Sequence, residues 1–476
     1  MASNTQSASV VPEIAIIGGG ASGTLTAVQL LRQAALSRLP LRLTLIDRDG
    51  RHGQGRAYAT GHPDHLLNAV AGQMSAFPDE PDHLVQWADI TNDAFLPRCR
   101  YGEYLQNSLA DAERQAPWAR LSRIRDEVLA IRCNQAGKPL RLTLADGRLY
   151  ADVAVLALGG VPPRLPFPAP ASSRIITDPW APQALDAVTD SSSVVIVGTG
   201  LTMIDLVATI TEQSRPPVIY AISRHGMLPR PHPGTVPTGR PICLPATAGT
   251  PGPVRLTELM RQIRAATSAS PTRWPDVIDA IRPFVPGLWR RMPDRDKQLF
   301  LRHVSRYWEV HRHLIPPSTA RQLAAWRHTG QLSILQGQIV EIAATGDQLK
   351  LRAVLEDNAT AGDAGQVSRD LTVGWLINGT GAGGDVGATD DPLMRDLFAT
   401  GTARPDTLGL GLAATGDGAI LDTSGTASET LYTLGPPLRG LWYETTAVPE
   451  IRQQADALAR RIIGHCHVNR RPGSAA

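Results

Sequence analysis

The stretch EIAIIGGGASG, residues 13–23, is a short apolar run that breaks into glycines. Its length and flanks read as a buried parallel strand. The segment TLTAVQLLRQA follows with helical spacing, and LRLTLIDRDG then supplies a second strand ending in Asp47. Strand, glycine turn, helix and strand form a βαβ unit of the dinucleotide-binding kind. The acidic residue stands 24 positions after Gly23 (23 to 47), where that fingerprint places it about 20 on. Gly18 permits the tight turn, Gly20 lets the backbone approach a pyrophosphate, and Gly23 lets the helix pack closely on the strand. Ala21 and Ser22 open the helix, whose free N–H groups and positive dipole end suit phosphates. Asp47, with Arg48 beside it, is placed to accept hydrogen bonds from a ribose.

The pattern returns at SSVVIVGTGLTMIDLVATI, residues 192–210. Gly198 and Gly200 hold the first two glycine places, Leu201 and Thr202 open the helix, and Met203 fills the third glycine place. That substitution is expected to loosen the packing of helix on strand. The next strand, PVIYAISRHG, ends in Ser223-Arg224-His225 instead of an acid. An arginine there suits a 2′-phosphate and favours NADPH over NADH; a surface arginine with no ligand is the plainer alternative. Each motif is followed by a strand, turn and strand, and then by an apolar strand that stops at small residues. These are LRLTLADGRLYADVAVLALGG, ending at Gly159-Gly160, and QLKLRAVLEDN…VSRDLTVGWLINGTG, ending at Gly379-Thr380-Gly381. Small residues at such ends let a backbone pass close to a bound dinucleotide.

The expected fold is therefore α/β, with two Rossmann-like dinucleotide-binding domains, β-meander excursions and a helical insertion. Residues 12–165 form the first part of one domain, 166–385 the second domain, 386–465 a return to the first, and 466–476 a disordered tail. Residues 231–253 are rich in proline, glycine and threonine and read as loop. From about 254 to 327 the spacing predicts amphipathic helices, among them DKQLFLRHVSRYWEVHRHL as one helix. His303, Tyr307 and His311 would then share a face. With Arg312 and His313 they offer a substrate or NADPH contact, or an ordinary helix surface; no carboxylate pattern supports a metal site. Trp308 reads as core.

The chain has 476 residues, 42% of them hydrophobic, and a net charge of +3, too small to argue for nucleic acid. Lys138, Lys297 and Lys350 are its only lysines, which leaves few candidates for a Schiff base. Cys99, Cys133, Cys243 and Cys466 are scattered, with no CxxC pair or zinc knuckle. A reducing, cytoplasmic setting is expected. The polar start, MASNTQSASVVPE, lacks signal-peptide features, and no apolar run approaches the ~20 residues of a membrane span. There is no GxSxG elbow, HExxH or P-loop lysine.

Two dinucleotide motifs, 180 positions apart from Gly18 to Gly198, resemble the two-dinucleotide-binding flavoproteins. That group includes disulfide reductases, ferredoxin reductases, flavin-containing monooxygenases and amine N-hydroxylases. A narrower resemblance lies in GQGRAYATGHPDHLLNAVAGQMSAFPDEPDHLVQWA (53–88), RYGEYL (100–105), WEVHRHLIPP (308–317), LINGTG (376–381) and LYTLGPPLRGLWYETTAVPEIRQQA (431–455). These are similar to a bacterial family of FAD/NAD(P)-binding flavoproteins, and the likeness spans essentially the whole chain.

The resemblance implies FAD on the first motif and NADPH on the second, handing it a hydride. It implies that Gly18, Gly20, Ala21, Ser22, Gly23, Asp47 and Arg48 meet the FAD pyrophosphate and ribose. Gln54, Gly55 and Arg56, and Asn68 through Met74 and Ser75, would pass beside the flavin, and Val128 would meet the adenine. Gly435 and the helix opening at Pro449-Glu450-Ile451 would return to the flavin, where a helix N-terminus stabilises negative charge. Gly198, Gly200, Leu201, Thr202, Arg224 and His225 would hold NADPH. The missing thiol pair argues against a disulfide reductase. The leading expectation is a flavin monooxygenase that uses O₂ on a small-molecule substrate, the expected reaction being N-hydroxylation of an amine or amino acid through a C4a-hydroperoxyflavin. The alternatives are an NAD(P)H-dependent reductase feeding a carrier or small acceptor, and a non-catalytic FAD-binding redox sensor. The resemblance leaves oligomeric state and catalytic acid and base open.

Overall fold

The computed structural model describes residues 11–132, 139–190, 193–213, 215–233, 251–268, 274–357 and 365–468. Two sheets organise it. The first has the order β15-β16-β7-β1-β2-β3. Its strands are β1 (Glu13–Ile17), β2 (Leu41–Asp47), β3 (Ala119–Arg125), β7 (Val153–Leu156), β15 (Ala419–Leu421) and β16 (Ala427–Thr433). All pairs are parallel except β15 with β16. Helix α1 (Ala21–Ser37) lies over this sheet, flanked by α2 (Arg98–Gln115) and the long C-terminal helix, α11 (Val448–Val468). Sandwiched in this way, α1 is buried on nearly every side. Leu25, Val28 and Leu31 of α1 share one core with Ile451, Ala455, Leu458 and Ile462 of α11. Each such aliphatic side chain withdrawn from water contributes about 1.5–3 kcal/mol.

The other face of the first sheet is covered by a meander of β4 (Val128–Arg132), β5 (Leu140–Leu144) and β6 (Gly147–Ala151). Within that cover sits α10 (Pro392–Ala399), started by Asp391, whose carboxylate accepts from the Met394 N–H.

The second sheet has the order β13-β12-β11-β10-β9-β14-β8. Its members are β8 (Ile175–Ile176), β9 (Ser193–Val197), β10 (Val218–Ser223), β11 (Leu332–Thr345), β12 (Gln348–Asp357), β13 (Gly365–Val373) and β14 (Trp375–Asn378). β11 leaves its parallel pairing with β10 to become the first strand of an antiparallel excursion with β12 and β13. Both domains thus repeat the order motif, meander, apolar strand, as the sequence suggests. Helices α3 (Leu201–Thr211) and α9 (Pro317–His328) pack on one face of this sheet.

The helical region has its own core. α4 (Leu256–Ser268), α5 (Trp274–Ile281), α6 (Val285–Arg291), α7 (Asp294–His303) and α8 (Ser305–Arg312) gather around Leu259, Ile281, Leu288 and Trp289. α9, expected within this insertion, instead belongs to the second sheet through Leu323. The single helix expected over 296–314 is two. α7 stops with the Val304 N–H on the Phe300 carbonyl, and Ser305 Oγ bonds the Leu301 carbonyl across the joint. His303 is therefore exposed on α7 and does not stack with Tyr307 and His311 on α8.

At the chain's end, α11 runs three residues into the span expected as tail, because Cys466 is buried in the first core. Residues 469–476 lie outside the described residues, as do Cys133, Cys243 and most of the loop expected over 231–253. Among the described residues no helix is long and apolar enough to cross a membrane.

Candidate functional site

The first glycine turn joins β1 to α1. Gly18 sits at φ +106, and a Cβ there would strike the Ala157 carbonyl at the end of β7. A Cβ on Gly23 would strike the Gly18 carbonyl. The helix therefore begins directly on the strand end. Its N-cap, Gly20, has no side chain to cap it, so the first N–H groups of Ala21, Ser22 and Gly23 have no intrahelical acceptor and suit an anion.

Asp47 closes the turn from the side. Its carboxylate accepts the Gly19 N–H at 2.9 Å, the Asp49 N–H at 3.0 Å and the Arg51 N–H at 3.1 Å. The loop then folds over the turn. The Gly53 N–H bonds the Gly19 carbonyl at 2.8 Å, and a Cβ on Gly55 would lie 2.8 Å from Gly20 Cα. Gln54 rests against Gly102 of α2. Val128 is buried at the start of β4, and Glu127 beside it faces Arg48 at 3.8 Å. The phosphate, ribose and adenine positions expected from the sequence thus lie together along one edge.

The C-terminal return meets the same turn. A Cβ on Gly435 would lie 2.8 Å from Ser22 Oγ. The Gly435 carbonyl accepts from Thr445 Oγ1 at 3.0 Å, and its N–H donates to Gln454 Oε1 at 2.7 Å. Ile451 is buried, whereas the Glu450 carboxylate is taken by Arg282 of the helical lobe at 2.7 Å. Met74 and Ser75 are buried. The Ser75 hydroxyl ties its own loop through the Glu80 carbonyl, and its carbonyl accepts from Arg452 Nη1 at 2.7 Å.

The second turn repeats the first. Gly198, at φ +111, abuts the Gly379 carbonyl beyond β14. Gly200 is the uncapped N-cap of α3, with Leu201 and Thr202 in the first turn. Met203, expected to loosen the packing, is fully buried in the core of the domain. Arg224 and His225 are exposed just past β10. Two residues of α8 stand beside this turn: Arg306, which sequence reasoning missed, and Tyr307, one of the residues expected at a substrate or NADPH contact. Arg306 Nη2 bonds the Met227 carbonyl at 2.8 Å and Thr199 Oγ1 at 3.3 Å. Tyr307 stands 6.3 Å from the His225 ring, centroid to centroid.

A seam joins the two domains. Arg56 pairs with Asp178, so the guanidinium expected at the flavin is engaged across the seam. The Asn68 carbonyl accepts from His232 Nε2 at 3.1 Å. Arg98 pairs with buried Asp205 of α3 at 3.0 Å. His65 meets the Asp205 carbonyl at 2.9 Å and Thr209 Oγ1 at 3.0 Å. Burial lowers the His65 pKa to about 4 and raises that of Asp205. His62, Asp64 and Glu212 could bring ligand atoms within 4.8 Å of one another. The Asp64 N–H, however, donates to His62 Nδ1. With Nδ1 accepting, a neutral His62 ring carries its proton on Nε2, which lies 3.2 Å from Glu212 and so offers no lone pair to a metal.

The helical lobe holds a cavity of about 480 Å³, walled by Leu259, Ile278, Leu288, Trp289 and Phe300, with Tyr443 also in its wall. A second cavity of about 210 Å³ adjoins it, lined by Glu309, His313, Ala382, Arg439 and Glu444; Trp308 and Tyr443 border both. Behind it, Arg312 faces Glu444 at 3.4 Å, both nearly buried, and Trp308 Nε1 donates to Glu444 at 2.7 Å. Burial pushes Arg312 down, against the raising effect of Glu444. No sequence pattern marks these cavities, because their walls come from the helices of the lobe and from the distant turn at Tyr443 and Glu444.

Two uncapped, glycine-led helix ends on two largely parallel sheets, each followed by a meander, define a two-dinucleotide-binding architecture. Residues 15–161 match the model of a family described as FAD-NAD(P)-binding. No curated protein matches the chain in sequence. Among solved structures, the chain is similar to an ornithine N-hydroxylase from Kutzneria sp. 744, with TM-score 0.61 and 16% identity over 97% of this chain and 100% of the other. It is similar to L-lysine 6-monooxygenase from Pseudomonas syringae, with TM-score 0.60 and 15% identity over 95% and 99%. It is also similar to a bacillithiol disulfide reductase from Bacillus cereus, with TM-score 0.54 and 12% identity over 96% and 100%. The fold is that of the FAD- and NAD(P)-binding flavoproteins.

Proposed function

We propose that this chain is an FAD- and NADPH-dependent oxidoreductase, a single-component monooxygenase that oxygenates the nitrogen of a small amine. The observation that carries the reading is a convergence. Gly435 touches Ser22 at the first turn, Thr445 bonds Gly435, and Glu444 and Thr446 on either side of Thr445 line a cavity of the helical lobe. A cavity thus adjoins the segment that returns to the first turn, which supports a substrate chamber beside the flavin. Cys99 opens α2 and Cys466 lies near the end of α11, and no disulfide joins them. The likeness to two N-oxygenating enzymes supports the reaction class.

FAD, when bound, supplies hydride acceptance and O₂ activation. This chain's residues do the rest. The N–H groups at Ala21–Gly23 hold a pyrophosphate, and Asp47 orients the turn and the ribose. The N-terminus of α11 favours negative charge at the flavin edge. Gly198–Thr202 receives the NADPH pyrophosphate, and Arg224 and His225 receive its 2′-phosphate. The lobe excludes water from the reacting nitrogen. The balanced reaction is RNH₂ + O₂ + NADPH + H⁺ → RNHOH + H₂O + NADP⁺.

The test is an amine and amino-acid panel with the FAD-loaded protein, following NADPH, O₂ and hydroxylamine together. The expected result is equal consumption of NADPH and O₂ with matching product. Fast NADPH oxidation by artificial acceptors without oxygenated product would favour a reductase instead. Slow reduction by either nicotinamide would favour a binding or sensing role.

A further inference from the structure

The larger cavity is almost wholly apolar. Among its described lining residues, only Thr267, Ser268, His311 and the hydroxyls of Tyr307 and Tyr443 break a wall of aliphatic and aromatic side chains. A ligand with charges at both ends, such as a free diamino acid, would leave one charge there without a partner, at high cost. The adjoining small cavity has the opposite character, with Glu309, Glu444, Arg439 and His313 on its walls. One apolar chamber beside one polar chamber calls for one apolar body and one polar head.

Tyr443 stands at the joint. Its backbone lies at φ +59 and ψ −60, a region that a bulky residue occupies only when its surroundings force it. Those surroundings are present. The Tyr443 N–H bonds the Arg439 carbonyl at 2.9 Å. Its ring is tilted 30° against Trp289 at 4.7 Å and meets Phe300 edge-on at 5.1 Å, with the Arg439 guanidinium 5.3 Å from its centre. The hydroxyl is buried and makes no hydrogen bond, although Arg439 draws near it. Across the polar chamber the His313 ring makes no hydrogen bond among the described residues and is neutral, since burial lowers its pKa to about 3. Both groups are ready to bond a ligand.

We propose that the substrate is a lipophilic primary amine. Its aryl or branched-alkyl body fills the apolar cavity, and its nitrogen lies in the polar chamber, positioned by the Tyr443 hydroxyl and the Glu444 carboxylate. This deepens the nitrogen-oxygenation reading and rests on it for the identity of the head group. The cavity of about 480 Å³ is of the size that encloses drug-sized ligands. It separates this chain by substrate from the ornithine and lysine enzymes whose fold it shares.

The experiment measures binding without turnover. The FAD-loaded protein, with no NADPH, is titrated with 4-phenylbutylamine, L-ornithine and putrescine. Quenching of tryptophan emission and calorimetry are both read, because Trp274, Trp289 and Trp308 line the cavity. The expected result is at least tenfold tighter binding of 4-phenylbutylamine than of either polar amine, with a negative heat-capacity change from apolar burial. Leu288→Trp, and Ile278→Trp as a second variant should the first misfold, fill the chamber and should weaken that binding at least tenfold. FAD content and melting temperature serve as folding checks. Ornithine or putrescine binding as tightly as the aryl amine, or both filled variants binding it unchanged, would overturn the assignment. Tight aryl-amine binding with no hydroxylamine formed on adding NADPH and O₂ supports the chamber's ligand class while defeating the oxygenation reading, so the two fail separately.

Discussion

Gly23 carries the most exacting demand of any single residue in the first turn. A methyl group there meets the Gly18 carbonyl oxygen, and both partners are backbone, so neither can step aside. Gly23→Ala is expected to reduce the flavin absorbance per mole of folded protein at least about tenfold, a loss of ~1.4 kcal/mol or more in binding. Circular dichroism serves to show that the fold persists. Arg224 is exposed, and no described carboxylate pairs with it. Arg224→Ser is expected to raise the KM for NADPH about 10–100-fold, since a hydrogen bond to a charged group is worth ~1.5–3 kcal/mol, and to leave the KM for NADH unchanged. Steady-state kinetics with both nicotinamides check this. The glycines were legible in the sequence because each does a local job set by its neighbours along the chain. Arg306 was not. It reaches the second turn from 108 positions beyond Gly198 (198 to 306), and only the packing of α8 brings it there. Arg56 shows the converse. Its place in the loop over the first turn was legible, but Asp178 on the other domain takes its charge, and no spacing rule foresees that partner.

Among the elements, the seam between α3 and the loop before α2 decides how stability depends on pH. His65 is buried there, stacked on His62 at 4.5 Å and bonded to the Asp205 carbonyl. Its pKa falls from 6.5 to about 4 on folding, chiefly through burial. A base whose folded pKa is lowered takes up a proton sooner in the unfolded chain. Stability is therefore full above about pH 6.5 and is lost as the pH falls toward 4, by ~3 kcal/mol for a shift of this size. Denaturation midpoints should fall over that window, and His65→Gln should flatten the fall while lowering stability at neutral pH. Asp205 has the opposite sign, its raised pKa making ionisation a cost as pH climbs, with Arg98 offsetting it. Removing the offset alone, in Arg98→Met, leaves a buried carboxylate unpaired and should cost ~3–5 kcal/mol, seen as a lower urea midpoint. Strands and meanders were readable as elements because apolar runs and turn residues mark them. The break between α7 and α8 was not, since residues 294–312 keep helical spacing across it. Val304 ends α7 through a contact pattern rather than a glycine or proline.

For the whole molecule, the first domain is assembled from both ends of the chain. Strands β1, β2, β3 and β7 come from residues 13–156, β15 and β16 from 419–433, and α11 closes the core over α1. A flavin bound at the first turn would touch both parts, because Ser22 and Gly435 meet there. Binding to the folded state alone then stabilises the closure of the two ends, by about 2.7 kcal/mol at a hundredfold excess over Kd. This distinguishes two equally buried leucines. Leu458 on α11 is 3% exposed and belongs to the closure, whereas Leu351 in the second meander is 1% exposed and belongs to the other sheet. Either one cut to alanine should cost ~2–5 kcal/mol. Leu458→Ala should lower the calorimetric transition that added FAD raises, and should lower flavin content with it. Leu351→Ala should lower stability while leaving FAD content and the size of the FAD-induced shift as they are in the parent protein. If Leu351→Ala were to shed flavin as readily as Leu458→Ala, the two domains would melt as one cooperative unit, and the flavin's hold on the chain would extend through the seam at His65 and Asp205 as well as through the two ends.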